Sequence, residues 1–337
     1  VGAEHRLVRE GVALIDMSSF TKFEIHGPGA HQYLNWLAAA NLDKPVGAAV
    51  YTQLCNARGG IEADLTIVRL ADDRFYVVTG SGFGTRDGGW IQAHLPADGS
   101  VRFRDVTSGH AVLNLCGPLA RRVLEKATAD DVSNAGLPYM RAKRIRIGLA
   151  PVLAVRITYV GELGWELHIP TEYAAYVFDA LLEAGREFSI GHAGYRAVDS
   201  LRMEKRYLYW SADITPDYNP FEAGLGFAVA LNKGDFLGRD ALRRIKSEGV
   251  RQKLCCFALE RPLAVYGGET ILLAGRVVGS TTSGNYGYTV RKSIVFGYVP
   301  VEHVQADAFE IEAFGEVSAA VPIEGSAYDS GRQRILL

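Results

Sequence analysis

The chain has 337 residues, of which 48% are hydrophobic and 22% charged, so it can bury a sizeable core divided over two or three domains. Its formal net charge is −2, from 36 basic and 38 acidic residues, and no Lys/Arg-rich block interrupts it. This charge distribution argues against a nucleic-acid binder and favours a small-molecule partner.

Charged side chains are spread through the first twenty positions, which excludes the apolar core of a signal peptide. No window is long and apolar enough to span a membrane. We therefore expect an intracellular protein with no membrane partner, in the cytoplasm or, in a eukaryote, in the mitochondrial matrix. The sequence opens in mid-pattern at Val1, without a methionine, which suggests a fragment, a processed subunit or a truncated chain.

The first elements are a strand, a Gly-Pro turn and a helix over residues 20 to 40, with Pro28 near the first helical turn. Residues 111 to 127 repeat this plan around Gly117-Pro118, which predicts two related lobes within the first 240 residues. The strand-like runs between the two units predict a meander and cover residues 48 to 55, 61 to 70 and 74 to 79.

The run VVTGSGFG at residues 77 to 84 follows the last of these strands. It lacks the third glycine of a dinucleotide-binding GxGxxG motif, and no helix-forming pattern follows it. The pattern therefore predicts a hairpin loop.

The second lobe begins with residues 144 to 170, which read as strands broken by Pro151 and by a turn at Gly161 to Gly164. Apolar spacing predicts helices at about 171 to 186 and 194 to 206. A further helix near 238 to 249 precedes a β-rich segment, so we predict an αβ region over residues 1 to 245 and a separate small barrel or jelly roll over 250 to 337.

Several catalytic patterns are missing from the sequence. The four cysteines form no CxxC pair, so we expect neither disulfides nor a metal cluster. The eight histidines form no HExxH motif, and no serine lies in GxSxG, which argues against zinc and serine hydrolases.

Alternation along residues 61 to 70 places Asp64 on the polar face of its strand, and the pattern by itself favours a face in contact with water. Glu166 alternates with apolar neighbours in GWELHI and is either a partly desolvated carboxylate or a rim residue. Asp199 and Arg202 have the i, i+3 spacing of an ion pair, for which a solvated or interlobe salt bridge is the favoured interpretation.

Spaced motifs over nearly the whole chain resemble the tetrahydrofolate-binding family of the glycine-cleavage T-protein, an aminomethyltransferase. They include YTQLCNARGGIEADLTIV, ITYVGELGWELHIP, GYRAVDSLRMEKRYLYWSADITP, NPFEAGLGFAVALNKGDFLGRDAL and SGNYGYTVRKSIVFGYV. Within this family, GELGWEL and LRMEKRYLYWSADI are most similar to the folate-binding C-terminal half of dimethylglycine and sarcosine dehydrogenases or oxidases.

The resemblance assigns a role to individual residues. It implies that Asp64 lies near the N5/N10 edge of the folate and is required for transfer, which reverses the expectation from alternation. Tyr51 would lie at the same site, and Tyr159 and Glu166 would bind the pterin. Arg196 matches a family position in the site, as does Glu222, each with a structural or site-lining role.

The resemblance also implies an α+β fold, a three-lobed ring of two mixed αβ lobes and a C-terminal β barrel around a central folate channel. Tetrahydrofolate would accept a formaldehyde or iminium equivalent from an N-methyl amine donor, giving 5,10-methylenetetrahydrofolate. FAD would enter only with a flavoprotein domain or subunit outside this chain.

Two departures from the family keep alternatives open. Ala63-Asp64 stands where T-proteins usually have paired acids, which puts the lipoyl-dependent, ammonia-releasing reaction in doubt and fits the dehydrogenase branch. The flavin domain of that branch is missing, so the chain could be the folate-binding portion of an amine dehydrogenase. A folate-binding accessory protein without turnover ranks third, because NKGDFLGRD replaces the KGCYxGQ-like segment of such relatives.

Overall fold

The computed structural model describes residues 1–337 as a mixed α+β fold with two open sheets and one closed barrel, as expected. The α-helices are α1 (Gly2–Glu10), α2 (Ala30–Leu37), α3 (Gly84–Ala93), α4 (Ala120–Ala127), α5 (Ala174–Gly185), α6 (Tyr195–Glu204), α7 (Arg239–Glu248) and α8 (Gln333–Leu336). No helix is both long enough and apolar enough to cross a membrane.

The strands form three groups. The first sheet, called the lobe 1 sheet, has the order β3-β4-β5-β2-β6, and the lobe 2 sheet has the order β11-β1-β7-β10-β9-β8. The strands of these sheets are β1 (Ala13–Asp16), β2 (Thr21–His26), β3 (Ala49–Cys55), β4 (Ile61–Ala71), β5 (Arg74–Thr79), β6 (Arg102–Asp105), β7 (His110–Cys116), β8 (Ala142–Ile147), β9 (Ala150–Val155), β10 (Gly164–Pro170) and β11 (Gly191–His192).

The two lobes are intertwined, because β1 belongs to the lobe 2 sheet although it precedes every strand of lobe 1. The predicted duplication is present as β2-turn-α2 and β7-turn-α4. Gly27 and Gly117 occupy equivalent positions with φ values of 124° and 119°, which favour glycine. A Cβ there would approach the carbonyl oxygens of Ser100 and Gly11 to 2.3 and 2.4 Å, so the close approach also requires glycine.

The predicted meander and the helices of lobe 2 are confirmed, with boundaries shifted by a few residues. Strands β3, β4 and β5 pair as consecutive antiparallel neighbours. Helices α5 and α6 lie inside the predicted ranges. Helix α5 buries an apolar face, as its spacing predicts, whereas α6 also buries Ser200, Arg202 and Glu204.

Two local predictions are wrong. Pro151 does not break a strand, because it lies inside β9, opposite Arg146 of β8. Only residues 153–155 of β9 pair with β10, so the missing N–H of Pro151 costs no hydrogen bond on that side. The run after β5 is not a hairpin loop, since a short 3-10 turn leads directly into α3. The glycines of α3 weaken its helical pattern, but Gly88 packs against Phe23 and Ile91 is fully buried, so tertiary packing overrides the weak propensity.

The C-terminal segment is a closed barrel in the order β12-β15-β14-β13-β16-β17. Its strands are β12 (Gln252–Leu259), β13 (Thr270–Leu273), β14 (Arg276–Gly287), β15 (Lys292–Pro300), β16 (Phe309–Ala313) and β17 (Glu316–Pro322). An apolar core that includes Phe257, Ile271 and Ile311 fills it. Of the two predicted alternatives, the barrel is therefore confirmed, while the boundary at residues 245 to 250 stays a prediction.

Candidate functional site

The polar face of the lobe 1 sheet is directed at the lobe 2 sheet. An apolar cluster between the sheets contains Ala49, Val68, Tyr76 and Val78 from lobe 1 and Val155 from lobe 2. Because side chains alternate along a strand, the face of β3 and β4 that carries Ala49 and Val68 also carries the tyrosine at 51 and the aspartate at 64. This interlobe face is where the sequence-predicted residues can meet.

Asp64 is half-buried on this face and is not on a free solvent surface, so the expectation from alternation alone is wrong. Its cross-strand neighbour is Gln53, whose Nε2 donates a hydrogen bond of 2.8 Å to Asp64 Oδ1. Burial raises the pKa of Asp64 to about 6, although hydrogen bonds from Gln53 and Tyr51 act in the opposite direction. The carboxylate can therefore exchange a proton near neutral pH.

Tyr51 lies beside Asp64 and is covered by an aromatic ring. Its ring stacks on Phe227, with 6.2 Å between centroids and 24° between planes. Burial raises the pKa of the Tyr51 phenol well above its usual range, and the charge of Asp64 adds to this. Phe227 itself is 78% exposed, so the stacked pair marks the edge where this site opens to solvent.

Tyr159 extends the site from the lobe 2 side. Its hydroxyl donates to the main-chain oxygen of Leu208 at 2.5 Å, and its ring stacks on Tyr207 with 5.9 Å between centroids. Burial raises the pKa of Tyr159, Arg202 opposes this, and the charge of Asp64 is among those that raise it further. Tyr51, Asp64 and Tyr159 thus lie within electrostatic reach of one another.

The predicted ion pair on α6 is present, with Arg202 buried and the side chain of Asp199 43% exposed. Arg202 Nε lies 2.8 Å from Asp199 Oδ1, and Arg202 Nη1 lies 2.7 Å from Asp213 Oδ2. Arg202 also donates through Nη2 to Ser283 of β14 at 3.0 Å. The Asp199–Arg202 pair is partly solvated, within the favoured interpretation, and Arg202 also links α6 to Asp213 and to the barrel.

Glu166 lies on the interlobe face of β10 and is half-buried. Its Oε2 is 3.6 Å from Nε2 of His168, which is two residues further along the same strand face. Nδ1 of His168 lies 3.2 Å from the hydroxyl of Tyr76 on β5. The predicted pterin-binding carboxylate is thus backed by side chains of both lobes.

Arg196 and Glu222 are not brought to these residues by any contact in the structure. Arg196 is exposed on α6 and makes no hydrogen bond or ion pair. Glu222 is half-buried in the loop before the barrel, where it accepts a hydrogen bond of 3.1 Å from the main chain of Asn219, and burial raises its pKa. Their assignment to the site stays a prediction.

Sequence reasoning missed three polar residues of this region. Gln53, Asn114 and His168 are each at most 1% exposed, and Gln53 Oε1, Asn114 Oδ1 and His168 Nε2 are buried without a hydrogen-bond partner. Gln53 and Asn114 are the cross-strand neighbours of Asp64 and Glu166. The alternation that placed Asp64 and Glu166 could have found Gln53 and Asn114, since the residue directly opposite on the neighbouring strand lies on the same face.

Two clefts lie near this region. One of about 160 Å³ is lined by Tyr76, His110 and His168, and Glu166 does not line it. A larger polar cleft of about 670 Å³ is lined by Arg74 and Arg104, among others, and contains none of the predicted site residues. Because no buried unpaired side chain points into the larger cleft, we place the candidate site at the interlobe face.

Comparison with known proteins gives consistent matches. The profile of the GCVT N-terminal domain matches residues 1–233, and that of the glycine cleavage T-protein C-terminal barrel domain matches residues 252–329. Mitochondrial dimethylglycine dehydrogenase of Mus musculus is 38% identical over 328 residues, which are 96% of this chain and 38% of the dehydrogenase. The chain therefore spans well under half the length of that relative.

Two further relatives match over most of their own length. An aminomethyltransferase of Symbiobacterium thermophilum is 35% identical over 98% of this chain and 90% of its own sequence. The crystal structure of the glycine cleavage system aminomethyltransferase T from Bartonella henselae superposes with a TM-score of 0.87 at 27% identity. That superposition covers 99% of this chain and 90% of the other.

Proposed function

Because this chain belongs to the glycine-cleavage T-protein (aminomethyltransferase) family, we propose that it transfers a one-carbon unit to tetrahydrofolate at the interlobe face. The unit is a formaldehyde or iminium equivalent derived from an N-methyl amine, and the product is 5,10-methylenetetrahydrofolate. The observation that carries the proposal is Asp64, a half-buried carboxylate held by a hydrogen bond from Gln53 on the neighbouring strand of the lobe 1 sheet.

The residues at this face fit a reduced pterin. A pterin ring presents an exocyclic NH₂ group and a ring N–H side by side, and one carboxylate can accept both as a fork. Glu166 is placed to do this, since His168 and Tyr76 back it from both lobes.

The chemical role falls to Asp64. Tetrahydrofolate supplies the two nitrogens, N5 and N10, between which the one-carbon unit is closed. N5 attacks the carbon, and the oxygen of formaldehyde leaves as water, or the nitrogen of an iminium donor leaves as the free amine, which gives a methylene iminium at N5. N10 then attacks this carbon and loses its proton, for which Asp64, with its pKa raised by burial to about 6, is a suitable acceptor near neutral pH. Tyr159 and Glu166 supply binding and orientation.

A second candidate is favoured by the dehydrogenase relative. Under this hypothesis the chain is the folate-binding portion of a demethylating flavoenzyme, and FAD on another domain or subunit oxidises the amine. Here the interlobe face would only capture the released one-carbon unit. Two measurements separate the candidates. Capture of free formaldehyde by the chain alone supports the first, and amine-dependent reduction of an added flavoprotein supports the second.

The first experiment is calorimetric titration of the purified chain with reduced folate, followed by a formaldehyde-capture assay on the same samples. Saturable binding with accelerated capture supports the transferase. Binding without acceleration favours a passive folate module, and absence of binding removes folate from this site.

Glu166→Gln is expected to weaken binding of reduced folate by about 2 to 3 kcal/mol, because a neutral amide can accept only one of the two pterin N–H groups. Calorimetry measures the change. Glu172→Gln is the matched control, since Glu172 is exposed just beyond the same strand. Equal affinities of wild type and Glu166→Gln would remove Glu166 from the site.

The capture rate is expected to fall about tenfold per pH unit below pH 6, because the protonated Asp64 cannot accept a proton. The sign follows from the direction of the pKa shift: burial raises the pKa of Asp64 to about 6, so the active ionised form is lost as pH falls through that value. Steady-state kcat/KM between pH 5 and 8 measures the profile.

Asp87→Asn is the comparison for this profile, since burial also raises the pKa of Asp87 to about 6 while the residue bonds to Thr79 outside the interlobe face. The charge of Asp87 contributes to the raised pKa of Asp64, so this variant should keep the acidic limb and move its midpoint to lower pH. If the acidic limb disappears in Asp87→Asn and persists in Asp64→Asn, the assignment to Asp64 is wrong.

A further inference from the structure

Gln53 is the buried partner of Asp64. It is 0% exposed, lies directly opposite Asp64 in the β3–β4 ladder, and donates to Asp64 Oδ1 at 2.8 Å. Residues opposite each other on one face of an antiparallel pair hold their side chains in fixed proximity. The contact therefore needs no rearrangement of either strand.

The amide of Gln53 has a fixed orientation for an electrostatic reason. Its Oε1 atom is buried and has no partner. Turning the amide over would leave Nε2 unpaired and place Oε1, a second acceptor, against the ionised carboxylate of Asp64. Ionised Asp64 thus selects the observed orientation, and the amide donor in turn stabilises the ionised carboxylate.

Other titratable groups face Asp64 from three elements. Tyr51 of β3 donates a hydrogen bond that favours the carboxylate, whereas the charge of Asp87 on α3 disfavours it. Tyr159, in the turn before β10, carries a phenol whose pKa is raised by burial. No cation pairs with Asp64, so hydrogen bonds alone offset the burial of its charge.

We propose that Gln53 is a positioning residue that keeps Asp64 ionised and fixes the direction of its carboxylate. The catalytic meaning of this inference rests on the proposed function, in which Asp64 is the base. The contact with Gln53 then explains how Asp64 remains ionised near neutral pH. Ala63, next to Asp64 in the chain, packs in the apolar core on the opposite strand face, and the other acid of this strand segment, Glu62, pairs with Arg86. The amide of Gln53 is the side chain that bonds to Asp64 across the ladder.

The test compares wild type, Gln53→Met, Gln53→Glu and Thr66→Val. Met fills a similar volume without a donor, Glu keeps the shape but cannot donate when ionised, and Thr66 lies on the same strand face without bonding to Asp64. The first readout is the ionisation midpoint of Asp64 in the unliganded protein, from the infrared carboxyl band that Asp64→Asn removes. The second readout is the pH profile of formaldehyde capture.

Gln53→Met and Gln53→Glu are expected to raise the midpoint of Asp64 by about one pH unit or more, while Thr66→Val leaves it unchanged. At pH 6.5 the capture rate of Gln53→Met should fall about threefold or more, and at pH 8.5 it should return to within about twofold of wild type. Recovery at high pH distinguishes loss of ionisation from damage to the fold.

An unchanged midpoint in Gln53→Met, or an equal loss of rate at every pH, overturns the inference. If circular dichroism shows that Gln53→Met does not fold, the midpoint in Gln53→Glu decides. Should wild type fail to capture formaldehyde at all, the proposed function fails, but the infrared midpoint still tests whether Gln53 controls Asp64.

Discussion

Asp64→Asn is expected to slow folate-dependent formaldehyde capture by about a hundredfold or more, because it removes the proton acceptor while preserving the shape of the side chain. The hydrogen bond from Gln53 can still be made to the amide oxygen of Asn, so reduced folate should bind with an affinity within about threefold of wild type. Single-turnover capture assays and calorimetry on the same samples measure the two quantities.

The substitution should not destabilise the fold. Burial raises the pKa of Asp64 to about 6, which means that folding disfavours the ionised form, and a neutral amide avoids this cost. Thr66→Val on the same strand is the matched control and should keep the wild-type rate. A wild-type rate in Asp64→Asn would exclude Asp64 as the base and would make Glu166 the next candidate for that role.

Arg9→Met is expected to lower the free energy of unfolding by about 3 to 5 kcal/mol, because it leaves two buried carboxylates without their shared cation. Arg9 is 3% exposed, and its guanidinium lies 3.2 Å from Glu162 Oε1 and 3.0 Å from Glu204 Oε2. Glu204 also accepts from the main chain of Thr289 at 2.7 Å, so the cluster joins α1 and α6 to the barrel. Urea unfolding measures the effect.

Arg6→Met is the control, since Arg6 lies on the exposed side of the same helix. Burial alone would raise the pKa of Glu204, but the hydrogen bond from His5 and the charge of Arg9 lower it to about 2. A lowered folded-state pKa stabilises the protein above the unfolded value of 4.5, and this stability is lost as pH falls toward 2. The difference in the free energy of unfolding between wild type and Arg9→Met should therefore become smaller over that pH range. A difference below about 1 kcal/mol at pH 7 would contradict the role of Arg9 as the shared cation.

Most of the elements could be predicted because their signals are local. The Gly-Pro pairs at 27 and 117 mark two turns whose positive φ and close backbone approach require glycine. Apolar spacing located α5 and α6, and alternation located β4 and β10. The predictions at Pro151 and at α3 were wrong because the deciding contacts are not local. Pro151 lies where β9 pairs with β8 but not with β10, and Gly88 of α3 packs against Phe23.

The candidate site was only partly predictable. Alternation correctly grouped Asp64 with the polar face of its strand but could not say what that face meets. The family resemblance selected Tyr51, Tyr159 and Glu166, and it passed over Gln53, which bonds to Asp64 from the neighbouring strand.

The sequence by itself determined the periodicity of each element, and hence which side chains share a face, because these depend on backbone geometry within a few residues. Only the tertiary structure decided which faces are buried against each other. The strand face that carries Asp64 became partly buried because lobe 2 residues pack against its Ala49 and Val68, and Arg9 became a buried cation because its partners come from positions 162 and 204. Burial and charge pairing depend on contacts between distant segments, and those contacts set the pKa values that the proposed chemistry requires.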